Sequence, residues 1–253
     1  MHLSGVLLAS LLTPLTALAA GLPDVIERVK PSIVAVGTYM PLRQSQQDLR
    51  ATGFVVGGRH VVTNSHVVPV KVDEGRRETL AVYVPAGGNS AEVRPAKVVA
   101  RDAAHDLCLL RFDGPALPGL RLEKDGAVRE GQAIAFTGFP ILAALGLRPA
   151  THSGIVAAIT PVAMPIGPGQ ALTPNLVDRL GRPFDVYQLD AIAYPGNSGS
   201  PVYDPQTGRV LAVVNSTFVK ETKESAITAP SGISYAIPVS HVRTLLAGAG
   251  VRE

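Results

Sequence analysis

The chain has 253 residues, of which 46% are hydrophobic, 17% charged and 5% aromatic, and its formal net charge is +3. This composition excludes an intrinsically disordered chain. The Lys and Arg residues are scattered among Asp and Glu, which disfavours nucleic-acid binding.

Residues 1–20 contain no Asp, Glu, Lys or Arg and end in a small-x-small pattern at Ala17 to Ala19. This pattern is typical of a secretory signal peptide cleaved near Ala19 or Ala20. We expect export to the periplasm or beyond the cell, with an N-terminal anchor as the alternative. Pro14 and the short apolar length argue against a retained membrane span, and no later run is long enough to cross a bilayer.

Twelve short apolar segments predict strands, with Gly, Pro and polar residues between them. In the first half these are residues 32–37, 53–57, 60–63, 80–84, 96–100 and 106–112. In the second half they are residues 133–136, 151–159, 185–192, 201–203, 210–216 and 233–237. Helices are expected at residues 23–30 and 239–246, with Ser240 as a candidate N-cap of the second. Surface loops are expected at residues 40–52, 73–79, 161–183 and 220–231.

These elements predict an all-β protein of two six-stranded antiparallel barrels with a short C-terminal helix. The N-terminal barrel is assigned to residues 21–118 and the C-terminal barrel to residues 119–253. A glycine pair at Gly57-Gly58 is the expected turn of a hairpin in the first barrel.

Cys108 is the only cysteine, so no intramolecular disulfide is possible. Its apolar neighbours favour a buried structural thiol. We expect no metal and no cofactor, because four histidines have no acidic or thiol partners at ligand spacing. Those histidines, interpreted as surface or core residues, are His60, His105, His152 and His241.

Three short motifs carry residues of catalytic type. They are TNSHVV around His66, HDLCLL around Asp106 and PGNSGSP around Ser198. A serine hydroxyl needs a base to act as a nucleophile, imidazole supplies that base, and a carboxylate fixes the imidazole tautomer. The order His, Asp, Ser is that of the chymotrypsin-type template, whereas α/β-hydrolases run Ser, Asp, His. The motifs therefore predict a triad of His66, Asp106 and Ser198.

The loop Gly196-Asn197-Ser198-Gly199 predicts an oxyanion hole, which we assign to Gly196, Asn197 and Ser198. Glycines let backbone N–H groups approach a developing oxyanion closely. The backbone amides of Gly196 and Ser198 are the expected donors.

The three motifs resemble those of the HtrA-like (Deg) trypsin-fold serine proteases. Gly232 to Pro238 and Thr151 to Val156 are similar to strands of the same protease domain, so the resemblance spans about residues 31–241. It implies cleavage of exported or unfolded polypeptides. The family usually carries PDZ domains after the protease, and this sequence ends at Glu253 without room for one. PDZ-driven regulation and trimer formation are therefore not implied, and the oligomeric state stays open.

Two positions depart from related enzymes. Ser200 stands where the HtrA-like family usually has a second glycine after the nucleophile. This difference calls into question whether the Ser198 loop keeps the family's geometry. Asn197 stands where zymogen-activated trypsins have an Asp that pairs with a new N-terminal amine. Because Asn carries no charge, we predict no activation by N-terminal insertion.

Substrate recognition is predicted from the same resemblance. The segment containing Ile192 and Ala193 should line the primary pocket, and its apolar character favours a medium aliphatic P1 residue such as Val, Ala or Leu. A strand edge formed by Asn215, Ser216 and Thr217 should pair with the substrate backbone. Asp190 is interpreted as a local carboxylate and not as a catalytic group.

Two function classes follow. The first is an active serine endopeptidase acting on polypeptides. The second is a non-catalytic binding or chaperone-like protein on the same fold, since function depends on the site and not on the fold. The complete set of His, Asp and Ser favours the enzyme.

Overall fold

The computed structural model describes residues 21–88, 90–124, 128–162, 183–215 and 232–252. The predicted signal peptide lies outside these residues. So do most of the predicted loop at residues 161–183 and all of that at residues 220–231.

Six strands come from the first half of the chain: β1 (Ile33–Tyr39), β2 (Gln47–Val56), β3 (His60–Asn64), β4 (Thr79–Pro85), β5 (Ala91–Asp102) and β6 (Leu107–Phe112). Six come from the second half: β7 (Ala133–Gly138), β8 (Ala150–Pro161), β9 (Asp185–Asp190), β10 (Pro201–Tyr203), β11 (Val210–Asn215) and β12 (Ile233–Pro238). The first set closes into an antiparallel barrel in the order β1-β2-β3-β6-β5-β4, and the second in the order β10-β11-β12-β9-β8-β7. The predicted fold class is confirmed. The predicted domain boundary at residue 118 falls between β6 and β7.

Three α-helices lie in the described part of the chain: α1 (Leu22–Val29), α2 (Leu142–Leu145) and α3 (Val239–Gly248). None of them is long and apolar enough to span a membrane. The prediction of Ser240 as an N-cap is wrong, because the N-cap position is Pro238, which ends β12 and leads directly into the first turn of α3. The short α2 was not predicted.

Two strand boundaries also differ from the prediction. Strand β2 begins at Gln47, inside the expected loop at residues 40–52, because its polar first half pairs with Gly37 to Tyr39 beyond a register shift at Arg50 of β2. Asp106 was expected to begin a strand, but its φ of 53° places it in the turn before β6. The Gly57-Gly58 turn is as expected, with φ values of 54° and 79° that favour glycine.

Strands β1, β6 and β11 bury both of their faces almost completely, which explains their continuous apolar runs. In β6, Cys108 and Leu110 belong to a cluster made only from the first barrel, while Leu107 and Leu109 belong to another cluster. That second cluster draws residues from both barrels and from α1 and α3. A third is confined to the second barrel. The barrels are therefore joined by a shared apolar core, which fixes the loops between them.

Cys108 offers a test of this packing. The thiol is completely buried, and burial raises its pKa to about 11. Because the thiolate is the reactive form, we expect iodoacetamide at pH 8 to modify native protein at least about 100-fold more slowly than protein in guanidinium. Mass spectrometry over time measures both rates. Equal rates would contradict the packing described for β6.

Candidate active site

His66 and Asp106 are brought together by the pairing of β3 with β6. Asn64, the last residue of β3, lies opposite Leu107, the first residue of β6. His66 follows β3 in a 3-10 turn, and Asp106 immediately precedes β6. The register of two neighbouring strands therefore sets two predicted site residues side by side.

The Asp106 carboxylate is buried and accepts three hydrogen bonds. Its Oδ1 accepts from the backbone N–H of His66 at 2.8 Å, and its Oδ2 lies 2.6 Å from Nδ1 of the same residue. The Oδ2 also accepts from the Asn215 side-chain amide at 2.8 Å. The Asp106 side chain is 4% exposed, whereas the His66 side chain is 31% exposed. The imidazole of His66 is thus held at Nδ1 by the buried carboxylate, while part of the ring is exposed to solvent.

The backbone of Asp106 is also fixed by hydrogen bonds. Its left-handed φ is uncommon for a residue with a Cβ atom. Its carbonyl accepts hydrogen bonds from the Ser65 N–H at 3.0 Å and from the Asn64 side-chain amide at 3.1 Å. These bonds fix the turn in the orientation that aims the carboxylate at His66.

Arg101 stabilises the turn that carries His66. Its guanidinium donates to the Ser65 carbonyl at 2.8 Å and to the Val68 carbonyl at 3.2 Å, with a further bond to the Ser65 hydroxyl. The planar fork of Arg suits several carbonyls at once. The guanidinium of Arg101 in β5 therefore binds carbonyls at both ends of the turn that contains His66.

Ser198 is buried in a loop whose two glycines are required by space and by conformation. Gly196 has a φ of 101° and Gly199 a φ of 84°. A Cβ on Gly196 would lie 2.3 Å from the Phe139 carbonyl oxygen, and one on Gly199 would lie 2.1 Å from that of Thr52. The Gly199 N–H donates to the carbonyl of Val214, which precedes Asn215 in β11. This bond places the Ser198 loop beside Asn215, the residue whose amide donates to Asp106.

The peptide planes of this loop are fixed by backbone hydrogen bonds. The Pro195 carbonyl accepts from the Ile141 N–H at 2.7 Å, and the Asn197 carbonyl accepts from the Ser200 N–H at 2.9 Å. In a trans peptide the N–H points opposite to the C=O, so these bonds set the directions of the Gly196 and Ser198 N–H groups. The Asn197 N–H donates to the Tyr194 carbonyl at 2.9 Å, so Asn197 does not direct its backbone N–H toward an oxyanion, although it was assigned to the oxyanion hole with Gly196 and Ser198.

The predicted pocket wall is held by Ser234 of β12. The Ser234 hydroxyl donates to the Ala191 carbonyl at 2.7 Å and accepts from the Ala193 N–H at 2.9 Å. The residue between them, Ile192, is 36% exposed. Asp190 is an exposed residue at the end of β9. The hydroxyl of Ser234 therefore determines how the Ile192 segment is presented.

The predicted strand edge is only partly described. Ser216 and Thr217 lie outside the described residues. Asn215 ends β11, and its side chain contacts Asp106. Sequence reasoning missed this contact, because an Asn in an apolar strand carries no mark of its partner.

The remaining histidines divide into two kinds. Burial lowers the pKa of His60 and of His152, as expected for partly buried residues. The prediction that His105 lacks an acidic partner at ligand spacing is wrong, because its Nδ1 lies 2.6 Å from Oδ2 of Asp102, the last residue of β5. His105 also stacks on His241 of α3, with ring centroids 3.8 Å apart. No group of three or more candidate metal-binding side chains occurs among the described residues.

The chain is similar to known proteins over most of its length. A family model described as a trypsin-like peptidase domain matches residues 51–213. Serine protease HTRA1A of Danio rerio is 26% identical over 229 residues, which are 88% of this chain and 40% of the relative. A probable periplasmic serine endoprotease, DegP-like, of Pseudomonas fluorescens is 29% identical over 199 residues, which are 78% of this chain and 34% of the relative.

A solved structure shows the same fold. The crystal structure of Deg5 superimposes with a TM-score of 0.62 at 22% identity, covering 88% of this chain and 90% of that chain. The chain spans about a third to two fifths of the length of the curated relatives named above.

The contact between Asn215 and Asp106 predicts strong coupling of these residues. Replacing Asn215 with Ala removes a hydrogen bond to a buried carboxylate, and we expect a loss of about 1–3 kcal/mol in the free energy of unfolding. Urea denaturation of N215A, D106A and the double variant measures the coupling. The double variant should lose less than the sum of the two. Additive losses would contradict the contact.

Proposed function

Because the chain belongs to the family of trypsin-like peptidase domains, we propose that it is a serine endopeptidase that uses Ser198, His66 and Asp106. The observation that carries this proposal is the buried Asp106 carboxylate, 2.6 Å from Nδ1 of a partly exposed His66. The family membership also confirms the resemblance inferred from the three motifs.

The roles of the three residues follow from hydrogen-bond chemistry. An Nδ1–H that donates to Asp106 leaves Nε2 of His66 as the base. This nitrogen takes the proton of the Ser198 hydroxyl while Oγ of Ser198 attacks the carbonyl carbon of the substrate. The proton then passes to the leaving amine, which departs as the tetrahedral intermediate collapses to an acyl-enzyme. Water activated by the same imidazole hydrolyses the ester and regenerates Ser198.

The backbone N–H groups of Gly196 and Ser198 are the proposed donors to the oxyanion. The hydrogen bonds of the Pro195 and Asn197 carbonyls support this assignment, since they fix both peptide planes before substrate arrives. Donors that need no reorganisation contribute the most to stabilising the developing charge.

The proposed substrates are polypeptides in extended or unfolded segments, cleaved outside the cytoplasm. The relatives described as periplasmic endoproteases support this location, as does the signal-like pattern of residues 1–20. Asn197 supports a site that forms without N-terminal insertion, because its buried side chain offers no carboxylate to an amine.

The nucleophile is tested by a fluorophosphonate probe and by digestion of unfolded casein. We expect the probe to label Ser198 and not a Ser198→Ala variant, and S198A to lose about 10⁴-fold or more in kcat. Mass mapping locates the adduct, and circular dichroism of S198A serves as the folding control. Failure of the native protein to react in either assay would favour a binding protein on this fold.

The pocket is tested by peptides that differ only at P1. The exposed, apolar Ile192 should give higher kcat/KM for Val, Ala or Leu than for Arg or Glu. Ile192→Asp should raise the relative kcat/KM for Arg by about 10-fold or more, because it adds a charge that attracts the guanidinium. Ile192→Val is the matched control and should keep the aliphatic preference. A native preference for Arg or Glu would overturn the assignment.

A further inference from the structure

The side chain of Thr52 connects the first barrel to the loop that carries Ser198. Thr52 lies in β2 and is completely buried. Its hydroxyl donates to the Gly196 carbonyl at 2.8 Å and accepts from the Phe139 N–H at 3.0 Å. A single hydroxyl from one barrel therefore contacts two segments of the other barrel.

The backbone of Thr52 adds two further bonds. Its N–H donates to the Ser198 carbonyl at 3.0 Å, and its carbonyl accepts from the Thr63 hydroxyl at 2.7 Å. Thr63 belongs to β3, so Thr52 is fixed within its own barrel while it contacts the loop of the other. A β-branched side chain in a strand also has few accessible rotamers. Thr52 is thus a rigid support for the loop.

These contacts determine the orientation of the Gly196 peptide groups. Gly196 has no side chain and adopts a positive φ, so hydrogen bonds must supply the restraint that a Cβ would give. The Thr52 hydroxyl fixes the Gly196 carbonyl directly. The same hydroxyl accepts a hydrogen bond from the Phe139 N–H. Two residues later, the Ile141 N–H donates to the Pro195 carbonyl. The Thr52 hydroxyl therefore holds the Gly196–Asn197 peptide directly and supports the Pro195–Gly196 peptide through the segment from Phe139 to Ile141.

We propose that Thr52 is a positioning residue that aims the oxyanion donors from the first barrel. This inference rests on the proposed function and specifies how the two barrels cooperate in it. Removing the hydroxyl would leave the part-buried Gly196 carbonyl and the buried Phe139 N–H without this partner, and such groups are costly to leave unpaired. The loop would relieve that cost by rotating the peptides on either side of Gly196, which would turn the Gly196 N–H away from the oxyanion.

The experiment compares Thr52→Val, which keeps the shape and loses the hydroxyl, with Thr52→Ser, which keeps the hydroxyl. Thr137→Val is the matched control, because Thr137 is another buried threonine, whose hydroxyl contacts Thr151 and Tyr203 instead of the loop. Active sites are counted by fluorophosphonate labelling. Rates are measured on a fluorogenic peptide with Val at P1, and hydrogen exchange is followed in the peptide spanning residues 194–200.

We expect T52V to lower kcat per active site by about 10- to 100-fold with KM changed by less than about 3-fold, because donors to the oxyanion act mainly in the transition state. Exchange in residues 194–200 should become faster. The pH midpoint of kcat should not move, since the bonds of Thr52 run to the loop and not to His66. T52S should recover kcat to within about 3-fold of native, and T137V should keep the native kcat.

A T52V variant with native kcat per active site, or with unchanged exchange, would overturn the inference. So would an equal loss of kcat in T137V, which would point to general destabilisation. Absence of turnover by the native protein would instead contradict the proposed function. In that case the exchange of T52V against T137V would still decide whether Thr52 holds the loop.

Discussion

The buried carboxylate of Asp106 is the constraint on which the rest of the site depends. A charge that is removed from water must be neutralised by nearby donors, or folding becomes unfavourable by several kcal/mol. Here the donors are the backbone and ring of His66 and the amide of Asn215. Asn215 belongs to the second barrel, whereas Asp106 and His66 belong to the first. One of the three donors to the carboxylate is therefore in place only when the barrels are docked, so a contact between the barrels also supports the group that orients the imidazole.

The docking depends on contacts of two physical kinds. Apolar side chains from both barrels and from α1 and α3 bury against one another, which supplies most of the free energy of association. Buried hydrogen bonds such as those of Thr52 add little net energy but permit only one relative position, because any shift leaves a donor or acceptor unpaired. Apolar burial holds the barrels together, and the polar contacts fix the position of one barrel relative to the other as precisely as catalysis requires.

Local patterns in the sequence predicted the strands and the three motifs, because alternation, turn residues and motif order are all written within a few residues. The paired barrels follow from these patterns. Contacts across the barrels could not be predicted in the same way. Asn215 contacts a residue 109 positions away, and Thr52 contacts one 144 positions away. Nothing near either residue identifies that partner. His105 was misjudged for another reason: its Asp102 partner is only three residues away, but the predicted elements assigned no structure to residues 101–105, where the chain turns.

The unusual Ser200 shows how such long-range contacts absorb a local departure. Its hydroxyl group occupies buried space against Gly138 of β7, where an added Cβ would lie only 1.9 Å from the Ser200 Oγ. The space that the extra atoms of Ser200 require is therefore supplied by the missing side chain of a glycine in another strand. The Ser200 N–H still donates to the Asn197 carbonyl, and its carbonyl still accepts from the Val214 N–H. The backbone bonds that set the direction of the Ser198 peptide therefore do not involve the Ser200 side chain.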